Sequence, residues 1–197
     1  MHLPAVSLTI LDAAWRALDV DALPYAAFFC EENVWRLLDS PALPVPVAVR
    51  HAVFITNKSR SVAMWSQRAA VVDPVVWDYH VVLLADGVVV DLDCTAGAVL
   101  RVAEWTAAAF RDGVNDVAAP RFRIVDAATF RARFSSDRSH MRDSTGQTLK
   151  PEPPWPAPWQ PALGMTLLRF VDLDDDVGGV IVDLPGLLAY AKPGAPP

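Results

Sequence analysis

Asp86-Gly87, set between two β-rich runs, constrains this chain more than any other feature of its sequence. Val75 to Leu84 and Val88 to Asp93 are rich in valine and leucine, and only Ala85-Asp86-Gly87 lies between them. Asp-Gly at such a point favours a two-residue turn, because the turn that suits strand twist needs positive φ at both central residues. The predicted product is a β-hairpin in which Ala85 pairs with Val88. Counting outward, His80 then lies opposite Asp93, with Asp91 its diagonal neighbour on the same face, roughly 7–8 Å away before side chains reach. Either acid is placed to orient the imidazole. A three-residue loop with a bulge would shift the register and turn these residues to opposite faces.

Elsewhere the periodicity predicts helices first and an antiparallel sheet later, an α+β order rather than a doubly wound sheet. An amphipathic helix is expected over Leu8 to Leu18, with Leu8, Leu11, Trp15 and Leu18 on one stripe. A second begins at or just after Cys30 in CEENVWRLLD, where Val34, Leu37 and Leu38 form the apolar stripe and Glu31 and Glu32 suit the first turn. Strands are expected at Ala52 to Thr56 and, continuing the sheet, Ser61 to Val72. A helix around Arg101 to Phe110, a strand at Phe122 to Val125 and a helix capped by Asp126 follow. Near the C-terminus come a short helix at Leu167, a strand at Val180 to Val182 and a helix capped by Asp183. Pro151 to Pro161 (PEPPWPAPWQP) forbids helix and ladder alike and reads as an extended surface loop packing its tryptophans on the domain. Residues from Lys192 onward read as a frayed tail.

The 197 residues suit one domain, 1–197, able to bury a core without disulfides. Lys and Arg number 17 against 23 Asp and Glu, a net charge of −6 with no basic run, so nucleic acid is not an expected partner. Cys30 and Cys94 are too few for a disulfide scaffold. Met1 to Asp12 lacks a signal-peptide pattern, and no apolar run approaches the ~20 residues that cross a bilayer. No membrane association, a cytoplasmic location and, by default, a monomer are the expectations.

A thiol attacks an amide only as thiolate, so a site must lower its pKa and supply a proton shuttle. Cys30 at a helix start has partial positive charge and backbone donors beside it; Glu31 and Glu32 act in the opposite sense. His80 with Asp91 or Asp93 supplies the shuttle. Against this stands a plainer reading, in which Cys30 is a small buried hydrophobe and His80 a hydrogen-bonded core histidine. His2, His51 and His140 lack zinc spacing, and a Cys94, His80 and Asp93 cluster rests on one register, so no metal is expected. Asp172 to Asp176 lacks the glycine and distal glutamate of a calcium loop. Asp137-Arg138-Ser139-His140 reads as a structural ion pair before a substrate-facing loop. Asp78 shares strand parity with His80.

The stretches CEENVW (Cys30 to Trp35), VFITN (Val53 to Asn57), MW-x-Q (Met64 to Gln67), VVWDYHVVLL (Val75 to Leu84), VDLD (Val90 to Asp93), FRIV (Phe122 to Val125) and SDRSHM (Ser136 to Met141) occur in this order. Their combination resembles the protein N-terminal glutamine amidohydrolases, a family similar to papain- and transglutaminase-like enzymes, in which a helix bearing the nucleophile packs on an antiparallel sheet. The resemblance implies Cys30 as nucleophile, His80 as base and Asp91, rather than Asp93, as the orienting acid. It implies deamidation of N-terminal glutamine to glutamate within N-degron pathways, with peptide or protein N-termini as partners and no cofactor. The chain departs from the family pattern in CTAGAVL after VDLD and in VGGV near the C-terminus.

Selectivity for a chain terminus calls for a buried acid facing the α-ammonium, and Asp78 and Glu32 are the candidates. Alternatives are another papain-like cysteine hydrolase or acyltransferase, a deamidase of internal glutamines, or a non-catalytic module that binds N-termini. Ammonia release without chain cleavage, and an acetylated control, separate them.

Overall fold

The computed structural model of the chain describes residues 13–111 and 119–191. Within them the Asp86-Gly87 turn has positive φ at both residues, 50° and 75°. It joins β4 (His80–Ala85) to β5 (Val88–Val90) in the register Ala85↔Val88, Leu84↔Val89 and Leu83↔Val90. That is the two-residue register, so His80 and Asp91 fall on one face of the sheet. Gly87 is also demanded by space, since a Cβ there would stand 3.0 Å from the Ala191 carbonyl oxygen.

The hairpin belongs to a six-stranded antiparallel sheet of order β6-β5-β4-β1-β7-β8, completed by β1 (Arg50–Thr56), β6 (Val99–Arg101), β7 (Arg121–Asp126) and β8 (Val180–Val182). Central β1 is apolar on both faces, and alternation sends Ala52 and Phe54 into one core, Val53 and Ile55 into the other. The helices are α1 (Cys30–Leu38), α2 (Val102–Ala109), α3 (Ala127–Arg133), α4 (Leu167–Val171) and α5 (Leu184–Tyr190). Val34, Leu37 and Leu38 of α1 meet Phe130 of α3 and Phe170 of α4 over the Phe54 face. Phe54 and Phe170 stack there with centroids 5.2 Å apart. Trp105 of α2 and Leu187 of α5 cover the other face with Phe110 and Phe122. Each buried phenylalanine contributes about 1.5–3 kcal/mol. The result is an α+β fold.

Two expectations need correction. Ser61 to Val72 does not continue the main sheet: only Val62–Met64 (β2) is extended, and it pairs with β3 (Val75–Trp77) in a separate two-stranded sheet. Val75 to Leu84 is not one strand either, because it breaks at Asp78-Tyr79. There the Asp78 carboxylate accepts the Tyr79 N–H at 2.9 Å and the Asp78 carbonyl accepts the Thr56 hydroxyl at 2.9 Å, so the ladder is locally replaced by side-chain bonds. The short edge strand β6 follows the predicted hairpin without a sequence signal of its own.

Other elements lie where the sequence puts them. Asp126 caps α3 by accepting the Thr129 N–H at 2.8 Å, and Asp183 caps α5 by accepting the Gly186 N–H at 2.8 Å. Of the predicted first helix, Ala13–Arg16 is helical and Trp15 is buried, while Leu8 to Asp12 lies outside the described residues, as does the tail from Lys192. Pro151 to Pro161 is free of helix and strand. No helix among the described residues is long and apolar enough to cross a membrane.

Candidate active site

Cys30 is the first residue of α1, and the sequence around it is devoted to holding that helix start in place. Phe28 takes a left-handed φ of 70°, and the Phe29 carbonyl accepts the N–H groups of Glu32 at 3.1 Å and Asn33 at 2.9 Å. Ahead of them, the N–H groups of Cys30 and Glu31 have no intrahelical acceptor, as at any helix start. Asn33 clamps the preceding loop, accepting the Ala26 N–H at 2.9 Å and donating to the Ala26 carbonyl at 3.0 Å. Glu32 is buried and held by Arg138, whose Nε donates to Oε1 at 2.7 Å and whose Nη2 donates to Oε2 at 2.8 Å. Trp155 of the proline-rich loop adds an indole N–H to Oε2 at 2.9 Å.

The half-buried thiol of Cys30 faces the start of β4. Cys30, Asn33, Val34, Val81, Asp91 and Asp93 line one small cleft, so the thiol and the acidic end of the hairpin share a wall. Buried His80 opens β4, and its Nε2 lies 3.0 Å from Asp91 Oδ1. Trp77 stacks on the imidazole at 5.7 Å between centroids, fixing the ring plane. The bond to Asp91 uses Nε2 and leaves Nδ1 as the nitrogen open to a reacting group.

Asp91 is saturated. Oδ1 also accepts the Asp93 N–H at 3.1 Å, and Oδ2 accepts the Trp105 indole N–H at 3.0 Å. Burial pushes its carboxyl up, but the His80 charge and these donors outweigh burial and hold it below the usual carboxylate range. Burial likewise pushes His80 down, and Asp91 more than reverses this, leaving the imidazole above its ordinary value. Asp93 faces the same group but is tied to the Tyr25 hydroxyl at 2.7 Å, and burial raises its carboxyl. Ligand atoms of His80, Asp91 and Asp93 lie within 4.8 Å of one another. A metal there would have to displace the donors that already fill Asp91, so this grouping is better described as an oriented imidazole than as a metal centre.

The electrostatics around the thiol run against ionisation. Burial, then the charges of Glu31 and Asp93, push the Cys30 thiol well up, with the Val81 backbone opposing them. Glu31 is fully buried; its Oε2 lies 3.7 Å from Sγ and 3.4 Å from the Tyr79 hydroxyl, and its Oε1 lies 3.3 Å from His140 Nε2.

The candidate residues thus divide. His80 and Asp91 are hydrogen-bonded, and Cys30 lines one cleft with Asp91. Glu32 is consumed by Arg138 and Trp155. Asp78 is exposed and bonds the Tyr79 N–H next in the chain. The Arg138 of SDRSHM makes the structural ion pair, while His140 of the same motif faces Glu31. Cys94 is buried and unpaired. Asp172 and Asp175 turn their carbonyls onto Arg123 Nη2 at 2.6 and 2.8 Å, so the acidic run wraps a buried guanidinium. No local signal in the sequence marks Trp105 or Tyr25, and the sequence presents Glu31 only as a first-turn acid that opposes the thiolate.

The chain is similar to proteins already known. Residues 25–190 match the N-terminal glutamine amidase family. The chain is 34% identical over 168 residues to the protein N-terminal glutamine amidohydrolase of Homo sapiens, covering 80% of this chain and 82% of that one. It is 34% identical over 176 residues to that of Bos taurus, covering 84% and 85%, and 37% identical over 146 residues to that of Drosophila erecta, covering 67% and 70%.

Proposed function

Because the chain belongs to the N-terminal glutamine amidase family, we propose that it hydrolyses the side-chain amide of an N-terminal glutamine, releasing ammonia and leaving glutamate, with Cys30, His80 and Asp91 as its catalytic unit. The observation that carries the residue assignment is the 3.0 Å bond between His80 and a fully saturated Asp91 beside a helix-start cysteine. His80 Nδ1 takes the thiol proton as Sγ bonds to the glutamine Cδ. The oxygen becomes an oxyanion facing the open N–H groups at the start of α1. Collapse breaks the C–N bond as the imidazolium protonates the leaving nitrogen, which departs as ammonia. Water, deprotonated by His80, then attacks the thioester, giving the glutamate carboxyl and restoring the thiol. Asp91 keeps the proton on Nε2 and stabilises each imidazolium. No step calls for a cofactor. A nucleophile that must stay a free thiol suits a reducing compartment, and the cytoplasm is the natural location.

The test is ammonia release and the amide-to-acid mass change on a peptide with N-terminal Gln, against the same peptide with N-terminal Asn, with acetylated Gln, and with Cys30→Ala. Activity confined to free N-terminal Gln and absent in the variant is expected. Silence of the folded protein on every peptide would overturn the reading in favour of a binding module. Cleavage of the chain would overturn it in favour of a peptidase.

A further inference from the structure

Among the buried acids near the thiol, Glu31 has a fully buried oxygen with no hydrogen-bond partner. Asp91 accepts three hydrogen bonds, Glu32 is held by Arg138 and Trp155, and Asp93 accepts from Tyr25. Glu31 has 0% relative exposure, yet its Oε1 has no hydrogen-bond partner. The groups in reach are the Tyr79 hydroxyl at 3.4 Å from Oε2 and His140 Nε2 at 3.3 Å from Oε1. His140 Nδ1 is buried and unpartnered too. A buried carboxylate without a full partner is costly, and it persists in a cleft when a ligand completes it.

Resting on the deamidation proposed above, we infer that Glu31 is the anchor for the substrate's α-ammonium and that His140 Nδ1 serves the peptide group that follows it. The lengths agree. Glu31 Oε2 is 3.7 Å from Sγ. A reacting carbon sits about 3–3.5 Å from its nucleophile, and a charged N–H···O bond spans about 2.7–2.9 Å. In glutamine, Cδ and the α-nitrogen are separated by four single bonds of about 1.5 Å, which reach on the order of 5 Å when extended. A glutamine can therefore place Cδ at the thiol and its ammonium on Glu31 together. The distance alone does not separate glutamine from asparagine, whose three bonds of about 1.5 Å also span the 3.7 Å between Sγ and Oε2. An internal glutamine has no cation to offer, and an acetylated one leaves the carboxylate unpaired. Asp78, exposed and locally bonded, and Glu32, already paired with a guanidinium, have no such free charge.

The same contact affects the nucleophile. Glu31 and Asp93 both disfavour the thiolate, the Val81 backbone has the opposite effect, and the Tyr79 hydroxyl lies against Glu31. An ammonium bound to Glu31 removes one of the two opposing charges as the substrate arrives. Substrate binding and thiol activation are then one event.

The experiment compares kcat/KM for a peptide with free N-terminal Gln and for the same peptide carrying a 4-carbamoylbutanoyl cap, which keeps the side-chain amide and lacks the amine. Wild type should favour the free amine by about 100-fold or more. In Glu31→Gln the ratio should collapse to within about tenfold, since the capped substrate no longer strands a charge. Glu31→Gln should also alkylate faster with iodoacetamide at neutral pH. A preserved ratio, with both substrates slowed alike, would overturn the anchor. If Glu31→Gln does not fold, Glu31→Asp decides: its retracted carboxylate should raise KM for the free amine more than for the capped substrate, and an equal change for both would overturn the anchor. Loss of all ammonia release in wild type would instead remove the deamidation reading on which the anchor rests.

Discussion

Arg138→Ala should be among the most damaging single substitutions outside the cores. The guanidinium is 7% exposed and the Glu32 carboxylate 1%, and they meet in two bonds of 2.7 and 2.8 Å. Arg138 also donates to Glu152 at 3.3 Å and to the Trp155 carbonyl at 2.8 Å, tying the proline-rich loop to α1. Removing it leaves a buried carboxylate with only the Trp155 indole. Stranding one partner of a buried ion pair costs about 3–5 kcal/mol, roughly a fifth or more of the stability of an ordinary domain. For a domain of this size each kcal/mol moves Tm by about 2–4 °C, so a fall of roughly 6–20 °C is expected. Arg138 already occupies a left-handed φ of 65°, and alanine bears a similar penalty there, so backbone relief does not offset the loss.

Thermal unfolding followed by circular dichroism, with urea denaturation as a second measure, reads this out. The double variant Glu32→Gln, Arg138→Met removes both charges and should recover at least half of the deficit, because the stranded charge is what costs. Arg138→Ala within about 1 kcal/mol of wild type would refute the reasoning. So would a double variant no better than the single.

Three further outcomes follow from the same geometry. Asp91→Asn cannot be accommodated by an amide flip, since Oδ1 serves two donors and Oδ2 a third, and one flip or the other sets donor against donor; kcat should fall by about 10³–10⁴, as in triads generally, while KM changes little. Because Asp91 raises His80 above 6.5, kcat/KM should climb as the imidazole loses its proton on the alkaline side of that value, and an acid-side optimum would contradict the assignment. Stability has the opposite sign for this group: the His80 contribution is complete below 6.5 and fades as pH rises through its raised pKa, and that of Asp91 is complete above 3.8 and fades as pH falls through its lowered one, which urea titrations across pH will show. Gly179→Ala combines a φ of 81° with a Cβ that would run into the Ile124 carbonyl oxygen, and should cost about 2–3 kcal/mol by shifting β8 off β7.

What could be read from the chain beforehand was local. Asp86-Gly87 specified the turn and through it the register that sets His80 and Asp91 on one face. Asp126 and Asp183 announced the helices they cap. Valine content alone misled at Val75 to Leu84, where the competing bonds of Asp78 break the strand, a case of side-chain chemistry outweighing propensity. Trp105 reaches Asp91 from the next helix and Tyr25 reaches Asp93 from 68 residues away, and nothing in either residue's neighbourhood encodes the contact.

Glu31 and Glu32 make the same point within a single motif. Both belong to the first turn of α1, where sequence rules assign them one role, favourable to the helix dipole and unfavourable to the thiolate. A helix turns about 100° per residue, so they leave the axis in different directions and meet different chain. Glu32 meets Arg138 and Trp155, more than 100 positions away, and is neutralised into scaffold. Glu31 meets the thiol, Tyr79 and His140, and keeps one buried oxygen without a hydrogen-bond partner. Had the partners been exchanged, the helix would form equally well and the recognition would be lost. The doublet therefore separates two requirements that a pattern cannot: one acid holds the nucleophile's helix against the loop, and its neighbour reads the end of the substrate chain.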